Sequence, residues 1–376
     1  MSIEIKEVMN KKDVKTFVKI PFKIFEGNKY WVPPLIMDEI ETFDRKKNPA
    51  LENSEIRMFI AYKNNEPVGR ICAINNKVAN KKYNTKNLRF GWFDTIDDYE
   101  VAKALFEKTE EWARELGMET ITGPHGFTDL DPEGMLIEGF DQLPTIAVYY
   151  NHPYYPEFTE KYGFEKEIDY IEFKTPVPHE TGIPEKLLRI AEKVKERSNL
   201  RVLKFRNKKH LMQRAGEIFH LLDESFEEIY GSVPLTEKQV NFYVKQYFPF
   251  VDVDFIKVVV NEKDEIVGFM ITVPSLSKAF QKAKGRLFPF GWYAILKALK
   301  NHEILDFYLA GVKPSYRGQG VDLLMVIDIV KTALEKGFQY AESNPELENN
   351  KKIHAQWKYF NPKQHKRRRI FKKTLK

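Results

Sequence analysis

The stretch Gly311-Val-Lys-Pro-Ser-Tyr-Arg-Gly-Gln-Gly-Val-Asp322 constrains this chain more than any other. An apolar run from Ile304 to Val312 leads in and reads as a strand. An apolar-faced run from Leu323 to Lys336 leads out and reads as a helix. Strand, glycine-rich turn and helix N-terminus, in that order, make an anion cradle. Glycine lets the backbone come close to a phosphate. The first N–H groups of a helix have no intrahelical acceptor and point outward at it.

The elements around this turn occur twice. In the first half, Ile3–Val8 alternates as a strand and Val14 to Phe25 reads as a helix. Strands 56–62 and 67–75 flank a polar hairpin turn, and 89–93 is a short strand. Tyr99 to Leu116 is an amphipathic helix closed by Gly117, followed by strand 119–123, helix 154–162 and strand 169–174. In the second half, strand 201–205, helix 210–226, hairpin 255–273, strand 304–312, helix 323–336 and strand 338–343 repeat the order. A helix from about Asn350 to Phe360 and a basic strand from about Arg368 follow. The Pro-rich stretch from Thr175 to Pro184 is the expected linker, giving domains 1–178 and 179–376. The pattern predicts a layered α/β (α+β) architecture. Each domain carries a mixed, mostly antiparallel sheet flanked by helices.

The turn resembles the acyl-CoA pyrophosphate loop of the GNAT (Gcn5-related N-acetyltransferase) superfamily, Arg/Gln-x-x-Gly-x-Gly/Ala. Arg317 and Gly320 fit. Asp322 departs, and would set a carboxylate beside two phosphates. The chain as a whole resembles a bacterial family of tandem GNAT-like proteins. Val68-Gly-Arg-Ile71, Glu138-Gly-Phe-Asp141, Tyr150-Asn151 and Pro153-Tyr-Tyr155 carry that likeness in the first half. Pro234-Leu-Thr236, Gly285-Arg-Leu-Phe-Pro289, the Arg317 loop and Glu342 with Asn350 carry it in the second.

The resemblance implies a site in the second domain, with acetyl-CoA or another acyl-CoA as co-substrate. Leu309, Gly311 and Val312 would line the pantetheine arm. Arg317, Gly318, Gln319, Gly320, Val321 and Asp322 would wrap the pyrophosphate, with Asn350 also on the acyl-CoA side. Glu342 would serve as general base, directly or through a water, or else stand as a surface or structural carboxylate. Alignment on Asn350 puts Trp357 where such enzymes often carry a Tyr proton donor, and an indole is no acid at neutral pH. Tyr359 lies two residues further, roughly 200° around a helix. Either Tyr359 takes the role, or a water does, or the reaction does not occur. Asp322 also has a plainer use, since Asp in a first helical turn accepts from the same N–H groups a pyrophosphate would need.

The first domain has Asp94-Thr-Ile-Asp-Asp-Tyr-Glu100 at the equivalent place, with no glycine. Its carboxylates favour a helix start and repel a pyrophosphate, so this copy is expected to be degenerate. The loop from Gly123 to Gly134 holds His125, Asp129, Asp131 and Glu133, but the spacing fits no calcium loop, and no metal site is expected. Cys72 is the one cysteine, which excludes an internal disulfide framework, and its apolar run reads as core.

The net charge of +6 belongs to the C-terminus. From Lys351 onward there are eleven Lys/Arg and no Asp/Glu, whereas the remaining 350 residues carry 49 Lys/Arg against 54 Asp/Glu. Global basicity is thus no argument for nucleic acid, which is not the expected partner. The tail is expected to be a solvated edge strand, with a phosphate or acidic substrate as the alternative. No apolar run reaches the ~20 residues of a membrane span, and the first residues lack a signal-peptide core. A cytoplasmic protein is expected. The expected activity is transfer of an acyl group, acetyl first, from CoA to a small-molecule or peptide amine. Two alternatives stand beside it. One is a non-catalytic protein binding acyl-CoA, an acyl carrier or a protein. The other is a long-chain N-acyl amino acid synthase-like enzyme.

Overall fold

The computed structural model describes residues 2–247, 251–351, 354 and 357–376. In chain order the elements are β1 (Ile3–Glu7), α1 (Lys11–Ile24), α2 (Ile36–Thr42), β2 (Ser54–Lys63), β3 (Glu66–Asn76) and α3 (Lys77–Tyr83). Next come β4 (Asn87–Thr95), α4 (Tyr99–Glu115), β5 (Thr120–Gly123), β6 (Met135–Glu138), α5 (Tyr154–Lys161) and β7 (Glu165–Pro176). Then follow α6 (Glu185–Ser198), β8 (Arg201–Leu203), α7 (Lys208–Phe226), α8 (Glu237–Tyr247), β9 (Ile256–Val260) and β10 (Ile266–Pro274). Last are α9 (Ser277–Ala283), α10 (Gly291–Ala298), β11 (Ile304–Val312), α11 (Val321–Lys336), β12 (Tyr340–Ser343), β13 (Glu346–Leu347) and β14 (Lys363–Thr374).

The chain forms two compact units. One comprises residues 1–171, 276–295 and 365–376, the other 172–275 and 296–364. A split at 178/179 was expected from the linker. The chain instead crosses inside β7, and two later segments return to the first unit.

In the first unit the strands run β1-β2-β3-β4-β5-β14-β7. Alternation along β2 and β3 sends side chains to opposite faces. Phe59, Ala61, Ile71 and Ala73 pack under α4 with Val101, Leu105 and Phe106. Met58, Ile60, Cys72 and Ile74 pack with Phe17 and Val18 of α1. Burial pushes the Cys72 thiol well up, so it serves as a small hydrophobe. In β4 the alternation breaks. Leu88, Phe90 and Phe93 share one face while Trp92 joins the other. A bulge against β3 and a φ of +47° at Trp92 account for the switch. Local caps fix the helix starts: Asn10 accepts from Lys12 and Asp13, and Asp98 accepts from Glu100.

The C-terminal strand corrects an expectation. β14 is not an edge strand but lies between β5 and β7. Ile370, Phe371, Lys366 and Arg368 are buried. Arg367 and Arg369 bind Asp169 at 3.2 and 2.8 Å, Lys373 binds Glu110 at 2.7 Å, and Arg368 donates to Tyr149 O at 2.6 Å. The positive run is therefore answered by acids and carbonyls of its own unit.

In the second unit the order is β7-β12-β11-β10-β9-β8, with β11 and β12 parallel and the neighbours β7–β12, β10–β11, β9–β10 and β8–β9 antiparallel. Val259, Val267, Leu305, Leu324, Met325 and Ile329 make a core with Leu187 and Ala191 of α6. Buried Lys257 is held by Asp328 at 2.9 Å and Thr332 at 2.8 Å, both on α11. Residues 352–353 and 355–356 of the helix expected near 350–360 lie outside the described residues. Lys358–Phe360 is a 3-10 turn.

Candidate functional site

β11 pairs with β12 over a short distance only. The register runs Ile304↔Tyr340, Leu305↔Ala341, Asp306↔Glu342 and Phe307↔Ser343, and then stops. β11 continues to Val312, paired on its other side with β10. Asn344 closes the fork, its N–H donating to Phe307 O at 3.1 Å and its side-chain amide to Tyr308 O at 3.2 Å. Beyond Tyr308, β11 runs on through Leu309, Gly311 and Val312 toward the glycine-rich turn, past the end of its pairing with β12. A second β-bulge, at Tyr308, reaims the strand there.

The turn itself is pinned from two directions. Gly320 has φ +83°, which disfavours any side chain, and an added Cβ would lie 2.6 Å from Val194 of α6. A glycine here is therefore required by packing against α6 as well as by the backbone conformation. Gly318 also has a positive φ, +77°, with open space around the Cβ direction. Arg317 points back into its own unit, donating to Ser225 O at 2.9 Å and Glu228 at 3.0 Å. Gly311 is where the same end of α7 meets β11, since an added Cβ would overlap Ser225 Oγ.

Gly320 is the N-cap of α11 and Val321 its first residue. Asp322 Oδ1 accepts from Leu323 N–H at 3.0 Å. The carboxylate thus occupies one donor of the helix end. Gln319 folds onto the turn, its amide donating to Ser315 O at 2.8 Å.

Glu342 is buried, one residue before the fork, on the face it shares with Asp306 and Lys174 by register. Leu305 and Phe307 face the other way, into the α11 core. Asn350 donates its N–H to Leu347 O at 2.9 Å, ending a turn after β13. Tyr359 is half exposed in the 3-10 turn.

A residue the sequence reading missed stands beside this group. Glu346 accepts the Trp357 indole N–H at 2.7 Å and lies 3.6 Å from His354 Nε2. Trp357 in turn packs edge-on against Phe307, 5.2 Å between centroids. Burial pushes the Glu346 carboxyl up to about 8, against the opposing hydrogen bonds from Trp357 and Ser343. It is therefore a neutral acid at pH 7. Its signal in the sequence was slight: one of three Glu between 342 and 348, eleven residues before a Trp.

The first unit has the same fork, but filled. β4 and β5 pair in parallel from Asn87↔Thr120 to Arg89↔Thr122, while β4 runs on to Thr95. His125 N–H donates to Phe90 O at 2.9 Å, and Gly91 and Gly123 are where an added Cβ would overlap His125 O and Phe90 O. Phe127 packs at a tilt against Trp92, and Asn76 donates to Phe127 O at 2.7 Å. Further along, Tyr155 Oη accepts from Thr95 N–H and Tyr154 Oη donates to Thr95 O, each at 2.9 Å. The loop residues are committed internally: His125 to Thr122, and Asp131 to the N–H groups of Phe127 and Thr128. Asp94 is held by Arg70 at 2.7 Å.

No family model matches the chain. It is 27% identical over 378 residues to protein YghO of Escherichia coli K12, covering 99% of this chain and 95% of that one. It is 26% identical over 374 residues to the bacterial ceramide synthase of Caulobacter vibrioides, covering 96% and 95%. Among solved structures it is similar to a tandem GNAT protein from the clavulanic acid biosynthesis pathway, with a TM-score of 0.57 at 11% identity. That match covers 99% of this chain and 98% of the other. The chain thus has the tandem GNAT fold.

Proposed function

We propose that the second unit transfers an acyl group from an acyl thioester to an amine. The observation that carries this reading is the fork between β11 and β12, whose open backbone edge leads directly into the turn at 317–322. A thioester arm laid along Leu309 to Val312 gains backbone hydrogen bonds. Its phosphates reach the first N–H groups of α11.

Acyl transfer forms a C–N bond and breaks a C–S bond. The amine must lose a proton, an oxyanion must be held, and the thiolate must gain a proton. Glu342, beside the fork, takes the proton of the amine. Glu346, neutral at pH 7, gives one to the thiolate, in place of the Tyr expected at 357. Tyr359, half exposed, is the alternative donor.

The likeness to a ceramide synthase over nearly the full chain favours a long-chain acyl donor and a lipid amine over acetyl transfer. One observation favours a second reading, a binder without turnover: Asp322 puts a charge where phosphate would lie. The filled fork of the first unit supports a shaping role for that copy rather than a second donor site.

Incubation with acetyl-CoA or palmitoyl-CoA and a panel of amines, including a long-chain amino alcohol, tests this by mass spectrometry of amide product. Amide from palmitoyl-CoA and the amino alcohol is expected. Binding of either donor without amide on any amine would establish the second reading instead.

A further inference from the structure

Four of the six residues from Phe288 to Tyr293 are exposed aromatics: Phe288 at 76%, Phe290 at 79%, Trp292 at 45% and Tyr293 at 61%. Most other exposed large apolar residues, such as Met9, Met37 and Tyr83, stand singly. Single exposed apolar residues are ordinary, but a contiguous group of rings marks a contact surface.

The group is held rigidly. Gly285, at φ +74°, sits against Phe22 and accepts from Ile36 N–H at 2.9 Å. Trp292 donates its backbone N–H to Leu287 O at 2.8 Å and its indole N–H to Pro289 O at 2.9 Å. Gly291 stands where any Cβ would overlap Arg286 O. α9, just before, buries Ala279 and Ala283 and anchors Gln281 to the carbonyls of Lys29 and Trp31. The rings are thus projected outward by a preformed turn.

Charge decides what would cover them. Between Ser275 and His302 there are six Lys/Arg and no Asp/Glu. Lys278, Lys282, Lys284 and Arg286 are exposed on the stretch leading into the rings. Protein interfaces are depleted in Lys, and a second copy docked on this face would set like charges together. Phe, Trp and Tyr ringed by Lys and Arg suit the headgroup layer of an anionic bilayer, where the rings enter the acyl boundary and the cations meet phosphates. No described helix is long and apolar enough to cross a membrane, so the contact would be peripheral.

We propose that the aromatic turn at 286–293, with the basic residues of α9 and its flank, docks the first unit onto an anionic lipid surface. Docking is independent of the acyl transfer proposed above and is read without any acyl donor.

The test is co-sedimentation of the full chain with vesicles of phosphatidylglycerol and phosphatidylcholine, and with phosphatidylcholine alone. Binding to the anionic vesicles is expected, weakened by high salt. Phe288→Ser/Phe290→Ser/Trp292→Ser and, separately, Lys282→Glu/Lys284→Glu/Arg286→Glu should each reduce partitioning about tenfold or more. Circular dichroism checks the fold of both. Should the aromatic variant not fold, the charge-reversal variant decides alone. Absence of vesicle binding, or binding that neither variant alters, would overturn the proposal. So would self-association that the aromatic variant abolishes in a protein that ignores vesicles, since the face would then meet a second copy.

Discussion

At the residue scale, the two departures from an acyl-CoA site act in different ways. Asp322 takes Leu323 N–H and adds a negative charge where phosphates would lie. Asp322→Gly should tighten CoA binding about threefold to tenfold by calorimetry, for a repulsion of roughly 1 kcal/mol near a helix end. Unchanged or weaker binding would mean the carboxylate faces no phosphate. Glu346, bonded to the Trp357 indole, is the acid that the proposed mechanism puts in place of a Tyr. Its carboxyl is raised to about 8 in the fold from an ordinary 4.5, so the folded state holds a proton the unfolded chain gives up. The stability this confers is complete below about pH 4.5 and is lost as pH rises through about 8. Glu346→Gln should therefore unfold at a temperature less dependent on pH over that window, and be the more stable protein near pH 9. If the group also donates the proton to the thiolate, the wild-type rate falls above pH 8, and the variant loses turnover while still binding donor. Equal pH dependence of melting in both proteins would place the carboxyl at its ordinary value.

At the element scale, the glycine-rich turn was legible because glycine, proline and an apolar strand punctuate it. β11 runs Ile304–Val312 as the hydrophobic pattern gave it, and α11 starts only two residues before the expected Leu323. α6 was not legible, since only Leu187 and Ala191 are buried along its length. Nor was α10, which begins at a glycine two residues past a proline and exposes its aromatics. Glu346 escaped because its acidity comes from tertiary burial against Trp357, with no local pattern to announce it. The packing role of Gly320 was equally hidden, because Val194 lies on an unanticipated helix. Gly320→Ala should cost unit stability of about 1–3 kcal/mol, from a positive φ and the Val194 overlap. Denaturant unfolding measures it, and a neutral result would show that α6 can give way.

At the scale of the whole molecule, element order alone conveyed the doubling, but not how the chain divides. The basic tail read as an edge strand because its Lys and Arg suit a solvated face and its only apolar pair before the last residues is Ile370-Phe371. The partners of those cations, Asp169 and Glu110, lie 200 and 263 residues away in sequence. Removing residues 363–376 should unfold the first unit, since β14 lies inside its sheet. Limited proteolysis would then cleave within 1–171, whereas resistance there would return the strand to a peripheral role.

The two copies differ in the respect on which the proposed function rests: among the described residues the fork of the second is open, and that of the first is filled by its own loop at 123–128. Hydrogen exchange followed by mass spectrometry, with and without saturating palmitoyl-CoA, reads both at once. The account predicts new protection across 308–323 and none across 90–98. Protection at 90–98, or no change in either segment, would contradict it.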